Sequence, residues 1–118
     1  MSRNRIVVVI GVLVVFVIVG GILIYAKRAG GQPVSINVTV TGAKTMSPSD
    51  LSAHQNDTVT INITSDTDGE VHLHGYDIIF ATKKGQTVTQ TFKADKSGNY
   101  PIEWESTSTE LGQLKVSP

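Results

Sequence analysis

Apolar side chains recur at every second position through most of the chain beyond residue 34. In SINVTVTG (35–42), Ile36, Val38 and Val40 alternate with Asn37, Thr39 and Thr41. TVTINITSD (58–66) sets Val59, Ile61 and Ile63 against Thr60, Asn62 and Thr64. QTVTQTFKA (86–94), YPIEWE (100–105) and GQLKV (112–116) repeat the scheme with Val88 and Phe92, with Tyr100, Ile102 and Trp104, and with Leu114 and Val116. A period of two marks strands with one buried face. The stretches between them contain turn formers: Ser47-Pro48-Ser49-Asp50, Asn56-Asp57, Asp66-Thr67-Asp68-Gly69, Lys84-Gly85 and Ser97-Gly98-Asn99. About seven short strands with no strong helical segment between them predict an all-β fold, an antiparallel two-sheet sandwich with Greek-key connections. Pro101 cannot donate to a ladder, so its strand is expected at a sheet edge or to begin there.

Residues 6–26, IVVVIGVLVVFVIVGGILIYA, break the pattern with 21 consecutive residues free of charge and proline. As a helix they span roughly 30 Å, the thickness of a bilayer hydrocarbon core. In lipid only a helix satisfies every backbone group within one segment, which outweighs the β-branched composition. A cleaved signal peptide is the rival reading, but its apolar region runs only about 7–15 residues and ends in a small-x-small site. Here a cut after Ala29 would place Lys27 three positions before it. The expected organisation is a cytoplasmic tail at 1–5, a transmembrane helix acting as signal anchor at 6–26, a linker at 27–34 and a β-sandwich at 35–118. Arg3 and Arg5 add to the amino terminus on one side, against Lys27 and Arg28 on the other. This small excess predicts a single-pass protein of the cell membrane with its C-terminal domain extracytoplasmic.

The formal net charge is zero, with ten basic and ten acidic residues, but the charges are unevenly placed. From position 30 onward six lysines face ten acidic residues, a net charge of −4. An acidic domain offers no electrostatic footprint for nucleic acid. Without cysteine there is neither a disulfide nor thiolate chemistry. The sequence contains no nucleophile elbow, phosphate-binding glycine loop or H-E-x-x-H helix, so no enzymatic role is expected. Asp66, Asp68 and Glu70 alternate, yet the calcium-loop pattern is left incomplete and a solvated acidic turn is expected. The sequons at Asn37, Asn56 and Asn62 fit the solvent face of strands.

EVHLHGYD (70–77) carries the candidate chemistry. Read as a strand, it puts Val71 and Leu73 on one face and Glu70, His72, His74 and Tyr76 on the other. Residues two apart lie roughly 6.6 Å apart along a strand, close enough for two imidazoles to lean toward one ion. His72 and His74, with Glu70 adding an oxygen, are therefore candidate ligands for Cu(II) or Zn(II). A pair of exposed strand histidines is the plainer alternative. His54 is expected to be solvated.

Several features in order resemble the cupredoxins, the small blue-copper sandwiches. They are the Ser47-Pro48-Ser49 turn, Asn56-Asp57-Thr58-Val59, a histidine late in a middle strand, Gly98-Asn99-Tyr100-Pro101-Ile102, and the closing LGQLKV. The resemblance covers residues 35–118 and implies the fold. It also implies where copper ligands would stand. Six residues after Gly98 the thiolate position holds Trp104; the second histidine would fall among Ser106, Thr107 and Ser108; the axial methionine corresponds to Glu110. Either His72 or His74 corresponds to the first histidine. A blue-copper site needs two His and a Cys around the ion, so none is expected. The expected function is a non-enzymatic binding or interaction module without a cofactor, held at the membrane by residues 6–26 beside an envelope protein partner. The alternative is weak Cu(II) or Zn(II) binding, or delivery, through His72 and His74.

Overall fold

The alternating segments form strands that close two sheets over one core. The computed structural model describes residues 31–118; the tail, the expected membrane helix at 6–26 and the first half of the linker lie outside the described residues. Nine strands follow in order: β1 (Pro33–Thr41), β2 (Thr45–Ser47), β3 (Asp50–His54), β4 (Thr58–Ser65), β5 (Gly69–Leu73), β6 (Ile78–Thr82), β7 (Thr87–Lys93), β8 (Gly98–Trp104) and β9 (Thr109–Ser117). One sheet has the order β2-β1-β4-β7 and the other β3-β9-β8-β5-β6. Val38, Val40, Val59, Ile61 and Ile63 from the first sheet meet Val71, Leu73, Phe80, Ile102 and Leu114 from the second, all buried.

The sheets are mixed, which corrects the purely antiparallel expectation. β1 runs parallel to β4 and β3 parallel to β9, while the other pairs are antiparallel. After β2 the chain crosses to the second sheet as β3, then returns as β4 beside β1. Period-two patterning identifies the buried face but carries no information on strand direction.

Pro101 does not mark an edge. β8 lies between β9 and β5. The ladder from β5 ends with Leu73 opposite Ile102, and beyond it the Pro101 carbonyl accepts the His74 N–H at 3.0 Å. The N–H and C=O of one strand residue point the same way, so the missing donor of Pro101 faces the place where β5 has already ended. A bulge where Ile102 and Glu103 meet β9 brings both Leu111 and Leu114, three apart, onto the core face.

The solvent face of the first sheet carries a polar ladder. Asn62 donates to Asn37 at 2.9 Å and accepts from Thr89 at 2.6 Å, while Thr60 pairs with Thr91 and Thr64 with Thr87. Asn56, with φ 74°, takes the left-handed conformation that asparagine tolerates better than most residues. Asp57 then folds back to accept the His54 N–H at 2.7 Å.

Asp66 ties two turns together. Its carboxylate accepts the Gly42 N–H and the Thr67 hydroxyl, both at 2.8 Å. The Gly42 bond, then that from Thr67, hold its carboxyl below the ordinary value of 3.8, and Lys84 acts in the same direction. A lowered folded-state pKa contributes stability that is complete well above 3.8 and fades as the pH falls through the folded value. Asp66→Asn is therefore expected to be less stable than wild type near neutral pH in urea unfolding, with the gap closing on acidification below 3.8.

Candidate functional site

The expected strand over 70–77 ends early. β5 stops at Leu73, and residues 74–77 form a turn with Gly75 at φ 87° and Asp77 at φ 56°. A β-carbon on Gly75 would collide with the ring of Tyr100, so the turn needs glycine for space as well as for backbone freedom. The change of direction removes Tyr76 from the histidine face. Its ring lies edge-on to Tyr100 at 4.8 Å and tilted against Phe92 at 5.1 Å. Its hydroxyl donates to the Lys96 carbonyl at 2.7 Å and accepts the Lys96 N–H at 3.1 Å. Burial, the main cause, raises the Tyr76 phenol above its ordinary 10.0. Tyr100 donates to the carbonyls of Lys96 and Ser97, a corner bond that ties the loop before β8 to its own strand.

The two histidines do meet. Their ring centroids are 4.2 Å apart with planes inclined by 46°. Each ring nevertheless turns its Nε2 to a different carboxylate: His72 to Asp77 at 3.2 Å and His74 to Glu103 at 2.9 Å. His72 Nδ1 lies 3.2 Å from Glu105 Oε1. That contact misses hydrogen-bond geometry, and the nitrogen is buried without a hydrogen-bond partner. Glu70 forms no ion pair with either imidazole. The carboxylates around the rings are thus Asp77, Glu103 and Glu105, which the sequence reading had not selected. Glu103 is opposite His72 in the β5–β8 ladder, and Asp77 reaches back from the turn. Pairing on neighbouring strands could have found Glu103 only once the register was known. Among the described residues, no group of three or more His, Asp and Glu side chains is arranged to hold a metal ion. His54 is exposed at the end of β3.

Trp104 occupies the other face of the same sheet. It is opposite Val71 in the ladder and 4% exposed. A β-carbon on Gly69 would collide with the six-membered ring of its indole. Any ligand sharing an ion with position 104 would have to project to this core face, where position 69 has no side chain. His72 lies between the buried Val71 and Leu73 on the solvent side, so neither it nor its neighbour His74 faces Trp104. Ser106, Thr107, Ser108 and Glu110 are exposed at and beyond the turn after β8. The described residues do not fit a blue-copper centre: the indole fills the space, and among them no side chains converge there that could replace it.

No protein-family model matches the chain, and no curated protein matches it. Solved structures do. A purple cupredoxin from Nitrosopumilus maritimus superposes with a TM-score of 0.50 at 14% identity, over 70% of this chain and 99% of that one. A chain of a heme–copper terminal oxidase dimer gives 0.60 at 13% identity, over 98% of this chain and 99% of that one. The multicopper oxidase mgLAC gives 0.55 at 17% identity over 73% of this chain, which spans only 39% of that oxidase. At these identities the likeness is one of fold. The described residues form a cupredoxin-like β-sandwich.

Gly69→Ala is expected to cost about 1–3 kcal/mol in chemical denaturation, because the added methyl overpacks a filled site. Trp104→Leu opens that site, so the double variant should be more stable than the sum of the two single losses implies.

Proposed function

We propose that this chain is a membrane-anchored, extracytoplasmic cupredoxin-like domain without blue copper, acting as a non-enzymatic binding or interaction module. The observation that carries this reading is the indole of Trp104 packed against Gly69. A core closed in this way retains the sandwich as a rigid platform and leaves its faces and loops for contact with other molecules. The apolar run at 6–26 supports the anchor. The match to a chain of a heme–copper terminal oxidase covers 98% of this chain, which supports a membrane protein of that kind as partner.

The expected outcome is that the full chain stays with membranes through alkaline carbonate extraction. After gentle detergent solubilisation it copurifies with one protein in fixed stoichiometry. Recovery in the soluble fraction would remove the anchor from the reading. Recovery alone, with steady turnover of an electron donor, would replace the interaction role with an enzymatic one.

The contact of His72 with His74 among three carboxylates favours a second reading, weak binding of Cu(II) or Zn(II). Calorimetric titration of the full chain with each ion should then show micromolar or tighter affinity, lost in the His72→Ala/His74→Ala double variant. No heat of binding from wild type would end this reading.

A further inference from the structure

Asp77 holds His72 in one orientation. An ionised carboxylate can only accept, so the 3.2 Å contact requires Nε2–H to donate to Asp77. In the neutral ring the lone pair then resides on Nδ1. That atom is buried and has no hydrogen-bond partner, and its close neighbour is a second acceptor, Glu105 Oε1, at 3.2 Å. Two lone-pair-bearing atoms in contact repel unless something positive lies between them. A proton on Nδ1 would supply that charge as an ion pair only, since the contact falls outside hydrogen-bond geometry. A divalent cation would bond to both atoms. An ion about 2.0–2.1 Å from each donor, at angles between square and tetrahedral, separates those donors by about 2.9–3.4 Å. The observed separation lies within that range.

We propose that His72 Nδ1 and Glu105 form a divalent-cation site on the outer face of the five-stranded sheet, taking Cu(II) or Zn(II), with Asp77 as the residue that orients the imidazole. The proposal rests on the metal-binding reading above but assigns the donors differently. His74 is engaged by Glu103 at 2.9 Å and packs beside the ring as a wall. Glu70 is not a ligand. Imidazole nitrogen with carboxylate oxygen suits either ion, and an acceptor clamped on the far ring nitrogen is the usual support for a metal-bound histidine. The Glu105 side chain is 48% exposed, so an ion held there meets solvent on the Glu105 side, where water completes its coordination, while Nδ1 itself is shielded. Among the described residues no lysine pairs with Asp77, Glu103 or Glu105, leaving the negative charge for an ion to neutralise.

The test titrates the full chain, stripped of metal, with Cu(II) and with Zn(II) by calorimetry, and counts imidazoles on bound Cu(II) by pulsed electron paramagnetic resonance. One ion should bind per chain, with one imidazole. His72→Ala should abolish binding and Glu105→Gln should weaken it at least tenfold. Asp77→Asn should weaken it by about 10–100-fold, while His74→Ala and Glu70→Gln change it by less than about threefold. Metal-free thermal melts close to wild type show that the variants fold. If His74→Ala is as damaging as His72→Ala and two imidazoles are counted, the ion sits between the rings; the metal-binding reading then stands and the Glu105 assignment falls. If wild type binds neither ion, both fall.

Discussion

The packing of the Trp104 indole on Gly69 is the constraint around which the domain is arranged. It depends on the β5–β8 register, which sets Val71 opposite Trp104 and Leu73 opposite Ile102. The same register orders both faces of the sheet, because side chains alternate. On the core face it aligns Val71, Leu73, Ile102 and Trp104 against the first sheet. On the solvent face it puts His72 opposite Glu103. A slip of one residue would turn one strand over relative to the other, burying His72 if β5 turned, or burying Glu103 and exposing the indole if β8 did. The apolar core and the acidic histidine face are therefore two consequences of one alignment.

Burial dominates this balance. An aromatic side chain of this size removes about 150–250 Å² from water, whereas half-exposed pairs such as His74 with Glu103 contribute at most about 1 kcal/mol. The histidine face is accordingly something the fold carries rather than something it stands on. The loop end of the sandwich depends on a second cluster, in which Tyr76, Phe92 and Tyr100 pack together and Lys96 lies over the Tyr76 ring at 4.9 Å. Through its backbone and side-chain bonds Lys96 links the turn at 74–77 to the segment before β8.

Most of the long strands were legible from alternation, because their buried faces are regular: Val59, Ile61 and Ile63 in β4, or Ile102 and Trp104 in β8. β6 was not. Its Ile78-Ile79-Phe80 run has no clean alternation, Ile79 is 37% exposed, and Thr82 is buried with its hydroxyl donating to the carbonyls of Thr67 and Gly69. A buried threonine in such a place reads as a solvent-face residue until its acceptors are known. The end of β5 was misplaced for a related reason. Tyr76 continues the alternation numerically, but the left-handed Gly75 diverts the chain before it.

The amino-acid sequence by itself determined which residues face inward along most strands, and that no thiolate exists to make a blue-copper centre. Both follow from local properties, the two-residue period and side-chain identity. Tertiary structure alone decided what meets what. The parallel partners of β1 and β3, the absence of a side chain at position 69 opposite the indole, and the choice of Asp77, Glu103 and Glu105 over Glu70 around the histidines all depend on strand direction and register. A strand's own pattern names the face on which each side chain stands. It does not name the neighbour across the ladder, because that choice is made by the summed burial of both sheets.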